Sequence, residues 1–275
     1  MHRIRSRGLA AAALITSGLL VSCGAGGGKA PSSSETVPAS TLPPPTLASL
    51  CGDAGKGAHA FFFRASDGTR LYGAVLGQGG VGLVVANDVP HPLCEEVPIA
   101  RALARRGLRV MVFDYRGRGE SEPGRHPTRL DLDVVAAAKE IARRGARTVV
   151  VLGAYAGASL ALVAAGAPSV VDGVVGVSAA PRRGQYMVGP YSGPGALDVA
   201  KRLRIPVLLM AVRTDEFVPV RQDRQLLHSI GSRDKRLVVF PYGRGGWDLF
   251  NLSPFGNRPT RLIQRFAAEV AARAH

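Results

Sequence analysis

The sequence predicts an α/β fold: a mostly parallel central sheet with helices on both faces. Three observations carry it. Strand-like and helix-like patterns take turns from Phe61 to the end, and most later strand candidates are unbroken apolar runs such as VLLMAV at 207–212, as strands covered on both faces require. The third is size: 275 residues with 46% hydrophobic content are enough for one sizeable core.

Residues 1–22 have the layout of an export signal. A basic start (His2, Arg3, Arg5, Arg7) leads into an apolar stretch from Leu9 to Val21, broken by Thr16, Ser17 and Gly18 and so unlike the ~20 apolar residues of a membrane span. Leu20-Val21-Ser22-Cys23 resembles the bacterial lipobox, which implies a signal peptide over 1–22 and a lipidated Cys23, with palmitate among the acyl groups. An ordinary secretory leader with a chance cysteine is the alternative. Residues 23–50, rich in Gly, Pro, Ser, Thr and Ala without periodicity, read as a disordered linker, leaving 51–275 as the folded domain.

Within that domain, strands are expected at Ala60 to Ala65, Leu71 to Leu76, Gly82 to Ala86, Arg109 to Phe113, Val149 to Leu152, Gly173 to Val177, Val207 to Val212 and Leu237 to Phe240. Helices are expected at Glu96 to Arg106, Leu130 to Arg144, Ala156 to Ala165, Arg221 to Ile230 and Thr260 to Ala272, with Gly107 and Gly145 as C-terminal stops. The early strands suit an antiparallel start and the rest a parallel series with crossovers. No internal repeat is present.

Once Cys23 is set aside, Cys51 and Cys94 remain. An even pair in an oxidising compartment suggests a disulfide, and two separate buried thiols are the other reading. The net charge is +15, and the basic residues are nearly all arginine, which fits codon bias in a GC-rich genome or attraction to an acidic surface such as anionic lipid or wall polymer. No basic run is interleaved with aromatics, so nucleic acid is not an expected partner. No cofactor or metal is expected.

The segments RASDGTRLYGAVLG, GLVVAND, PIARALARRGLRVMVFDYRGRGES, VVVLGAYAGASLAL, RIPVLLMAVRTDEFVP and LVVFPYGRGGWDLF together resemble the α/β-hydrolase fold, in particular its small bacterial members, over about Phe61 to His275. The resemblance implies a nucleophile elbow G-x-S-x-G between strand and helix, an acid after a later strand, and a histidine near the end. Here Gly153 and Gly157 flank Tyr155 instead of serine, Asp215 stands at the acid position, and Gly245 stands where the histidine belongs. The stretch between Ala180 and Lys201 is too short for a large lid domain.

A serine hydroxyl needs a histidine to take its proton and an acid to orient that histidine. With two of the three replaced, the expectation is a catalytically degenerate pseudoenzyme, lipid-anchored on the extracytoplasmic face of a bacterial cell membrane. It would bind a small molecule, a wall component or a protein. The alternative is an ester or acyl hydrolase with displaced groups. Ser159 falls inside the helix after the elbow, while His91, beside the expected oxyanion loop, and His126 lie in loops. Tyr186 and Tyr191 are candidate contacts, and His59 and His228 have no expected role. Tyr155 is expected to fill the space of the missing imidazole, and its hydroxyl, or the guanidinium of Arg213 or Arg244, to satisfy Asp215.

Overall fold

The computed structural model describes residues 43–274 except 90, 168–169, 186–188 and 253. The leader, Cys23, Tyr186 and His275 lie outside the described residues.

In chain order the elements are α1 (Leu47–Cys51), β1 (His59–Arg64), β2 (Arg70–Leu76), β3 (Val81–Ala86), α2 (Val97–Ala104), β4 (Arg109–Phe113), α3 (Asp131–Arg143), β5 (Thr148–Ala154), α4 (Ala156–Gly166), β6 (Gly173–Val177), α5 (Ala196–Ala200), β7 (Val207–Val212), α6 (Val220–Ser229), β8 (Lys235–Phe240), α7 (Asp248–Asn251) and α8 (Arg258–Arg273). Every expected strand and helix is present with ends within two residues of its expected bounds. The sheet order is β1-β2-β4-β3-β5-β6-β7-β8. β1 pairs with β2 and β2 with β4 antiparallel, and all other neighbours are parallel.

Alternation along the buried strands shows why apolar runs belong here. Val84 and Val151 face a core completed by Val134 and Ile141 of α3, Leu160 of α4 and Leu226 of α6. Their neighbours Val85 and Val150 face the opposite core, with Leu103 of α2 and Ile263 and Phe266 of α8. Successive side chains point to opposite faces, so a strand covered twice must be apolar at every position. α4 is apolar all round and its first nine residues are buried, as a helix enclosed on every side must be.

The folded part begins earlier than the expected boundary at Cys51. Leu47 in α1 is fully buried and the Tyr72 hydroxyl donates to the Pro45 carbonyl at 2.9 Å, so the last residues assigned to the linker are packed. Two leucines in LASLC are too few to show periodicity, and only the tertiary contact reveals that one is core. Cys51 and Cys94 form the expected disulfide, with Cα atoms 5.3 Å apart. The connection between β6 and α5 spans residues 178–195 and holds no large lid.

Candidate functional site

Chain order reverses direction across the sheet between β3 and β5, because β4 lies on one side of β3 and β5 on the other. Ligand sites in open parallel sheets form at the carboxyl ends of strands at such a point. Here the loops after β3, β5, β7 and β8 border a cleft of about 1010 Å³.

The elbow is built from close approach. A Cβ on Gly153 would collide with the backbone of Gly157, and one on Gly157 with the carbonyl oxygens of Ala86 and Asn87, so only glycine lets α4 start this near β5 and β3. Between them Tyr155 has φ 48° and ψ −113°, a conformation that costs a non-glycine residue ~1–3 kcal/mol. Its N–H donates to the Val177 carbonyl at 3.0 Å. The sharp turn is therefore made with tyrosine, not serine, at its apex.

The Tyr155 ring lies against Gly246, one residue past the gap expected at Gly245, whose side-chain direction Asp215 fills instead. A Cβ on Gly246 would overlap its ring, so the phenol covers the glycine next to the histidine position. Phe217 meets the ring edge-on, centroids 5.9 Å apart. Burial, then the charges of Asp215, Asp248 and Asp88, push the phenol well above the ordinary tyrosine range, with Arg244 opposing. A phenolate nucleophile is thereby disfavoured.

The expected partners of Asp215 are not the ones found. Its Oδ1 accepts the backbone N–H groups of Phe217 at 2.9 Å and Val218 at 3.1 Å, while Oδ2 has no partner among the described residues. Arg244 Nε instead pairs with Asp248 at 3.0 Å, one helical turn away in sequence, and Arg213 is exposed. The local turn R-T-D-E-F supplies amide donors at no cost in side-chain ordering, so the guanidinium groups stay near solvent. A Cβ on Gly245 would collide with Asp215 Oδ2. Acid and tyrosine have closed on the imidazole space from two sides.

Sequence reasoning missed Asp88, the residue with the largest consequence. Its carboxylate accepts the N–H of Val89 at 3.1 Å and lies near the N–H of Ala156, which helps to hold its charge. Ala156 follows the elbow residue, and its amide is one of the two that form the oxyanion hole in this kind of site. Asp88 therefore holds a negative charge where a tetrahedral intermediate would place its own. Burial raises this carboxyl to about 6, against the pull of His91 and the two amides. The signal was legible: an aspartate in VVANDVP, directly after the third strand.

Ser178 was also missed. Fully buried, with φ 49°, it accepts the Gly246 N–H at 3.2 Å and so pins the degenerate loop to β6. His91 lines the cleft with its Nδ1 2.6 Å from Glu95. Ser159 lies inside α4 and donates to the Ala180 carbonyl. His126 contributes only its carbonyl, to Arg116 at 2.7 Å. His59 is in β1, His228 in α6, and Tyr191 packs away from the cleft against the α3–α4 core. Among the described residues no group of three or more metal-ligating side chains comes together.

No protein-family model and no curated protein matches the chain. Solved structures do. An esterase of Pyrococcus furiosus is 15% identical over 79% of this chain and 92% of its own, with TM-score 0.67. A monoacylglycerol lipase of Paleococcus ferrophilus is 18% identical over 73% and 99%, with TM-score 0.58. An enol-lactonase of Burkholderia xenovorans is 16% identical over 75% and 99%, with TM-score 0.60.

Proposed function

We propose that this chain, which has the α/β-hydrolase fold, is a non-catalytic member of it that binds a ligand in the cleft above Tyr155. The observation that carries this reading is the Asp88 carboxylate in the cleft, bonded to the Val89 amide and close to that of Ala156. Acyl transfer needs a nucleophile, a base and donors for the oxyanion, and the last of these is often the largest contribution. Tyr155 replaces the nucleophile, Gly245 the base, and a resident anion stands beside the donors. No substrate reaches a tetrahedral state against that charge.

The test is turnover. Purified protein, assayed with short-chain p-nitrophenyl esters and with a fluorophosphonate probe, should show neither hydrolysis above buffer nor labelling. Hydrolysis that Tyr155→Phe abolishes would overturn the reading and make the tyrosine a working nucleophile or acid.

The protein is carried, in this proposal, as a lipoprotein on the outer face of a bacterial cytoplasmic membrane. Support comes from the leader, from the lipobox ending at Cys23, and from the Cys51–Cys94 disulfide, which suits an oxidising compartment. No helix among the described residues is long and apolar enough to cross a membrane. Mass spectrometry of the mature N-terminus should find a diacylated or triacylated Cys23, and an unmodified N-terminus would remove the anchor.

A further inference from the structure

The cleft above Tyr155 runs against the sign of the whole molecule. The chain has 35 basic and 20 acidic residues, yet Asp88, Glu95, Asp215, Glu216 and Asp248 all border this space. The cationic groups beside them are engaged, Arg244 with Asp248 at 3.0 Å and His91 with Glu95 at 2.6 Å. Asp88 accepts the Val89 amide and lies near that of Ala156. Asp215 is balanced on one side only: it lines the cleft, its Oδ1 takes the Phe217 and Val218 amides, and its Oδ2, buried beside Gly245, has no donor among the described residues. A buried carboxylate oxygen left so is costly unless something brings a donor or a positive charge.

Aromatic side chains border the same cleft. Tyr155 and Phe217 form a corner, their planes 75° apart and centroids 5.9 Å apart, and Trp247 borders the same space. Aromatic faces attract cations through the ring quadrupole, and a cluster of them beside a carboxylate is the usual means of holding a quaternary ammonium. A divalent metal ion is poorly served, because the carboxylates do not converge into a ligand set among the described residues.

We infer that the cleft binds an organic cation, its quaternary ammonium or guanidinium group seated among the Tyr155, Phe217 and Trp247 rings and drawn by the charge of Asp215. The volume, about 1010 Å³, exceeds what such a head group fills, so the cation is one end of a larger small molecule. This inference rests on the cleft being a binding site and not a catalytic one.

Isothermal titration of the mature protein at low ionic strength, where charge attraction is least screened, tests it with choline and benzyltrimethylammonium as cations. The uncharged choline isostere 3,3-dimethylbutanol and the anion succinate are the comparators. Both cations should bind, with dimethylbutanol at least about tenfold weaker and succinate silent. Asp215→Asn keeps the Oδ1 acceptor for the Phe217 and Val218 amides and should weaken choline about tenfold. Should that variant fold poorly, Phe217→Ala removes a ring that is 57% exposed and should weaken choline several-fold at unchanged melting temperature. Equal binding of dimethylbutanol, no binding of either cation, or cation binding indifferent to the folded variants would overturn the inference. Ester turnover alongside intact cation binding would instead remove only the non-catalytic reading.

Discussion

At Gly245 and Gly246 the space for a side chain is already taken. The Asp215 carboxylate occupies the side-chain direction at 245, and the Tyr155 ring the one at 246. Gly245→His is therefore expected to destabilise the fold by ~1–3 kcal/mol through overpacking without producing esterase activity. Denaturant titration and the p-nitrophenyl assay check the two halves separately. Tyr155→Ser writes a serine into an intact elbow, yet it should stay inactive, because position 245 carries no imidazole, His91 is paired with Glu95, and Asp88 still lies near the Ala156 amide. Measurable turnover from that single substitution would mean that Asp88 moves aside, and that the oxyanion donors are available after all.

Between elements, the disulfide matters most for how the cleft is bounded. Cys51 ends α1 and Cys94 sits in a single 3₁₀ turn, Leu93–Glu95, that follows β3. Arg101 of α2 adds a hydrogen bond to the Ala54 carbonyl at 3.0 Å, so this corner is tied twice. The bond spans 43 residues, and the loop-entropy relation assigns such a crosslink about 4 kcal/mol. The double variant Cys51→Ser/Cys94→Ser should lose stability of that order in guanidinium titrations, and reductant should bring the wild type down to the same value. A variant as stable as wild type would show that α1 and its neighbouring contacts hold the corner unaided. Arg116 is the second tie: its fully buried guanidinium binds Asp133 of α3 and Asp67 of the β1–β2 turn, both at 2.7 Å. Removing it with Arg116→Ala leaves buried carboxylates unpaired, at an expected cost of ~3–5 kcal/mol.

Over the whole molecule, buried carboxyls set the response to pH. Burial pushes Glu96 up to about 9, Asp223 to about 8, and Asp88 and Asp114 to about 6. In the unfolded chain such groups ionise near ~4, so from there to about pH 9 the native state holds more protons than the unfolded one. Stability contributed by these groups is complete below the unfolded values and declines as pH rises through the folded ones. Asp67 works in the opposite direction: burial is outweighed by its bonds to Thr69 and Arg116, which hold it at about 2, and its contribution is lost on going below ~4. Calorimetry should find a higher melting temperature at pH 5 than at pH 9. Glu96→Gln should flatten the slope, with each 1 kcal/mol recovered worth ~2–4 °C for a domain of this size. A profile that rises from pH 5 to 9, or a slope unchanged in the variant, contradicts the assignment.

The sequence by itself determined the architecture, because its signals are local. Apolar runs mark strands that must be covered on both faces, as in Val207–Val212, and the spacing of Gly153 and Gly157 marks a turn that only glycine permits. The missing serine and histidine were legible once those elements were placed in order. Short helices such as α5 and α7, five and four residues long, were not legible, being too short for a 3.6-residue period to register. What occupies the site was decided by tertiary structure. Asp88 meets Ala156 and Asp215 meets Gly245 across gaps in sequence that no periodicity spans. Which donor a buried carboxylate takes depends on the nearest preformed amide, and nearness is settled only when the sheet brings the strand ends together.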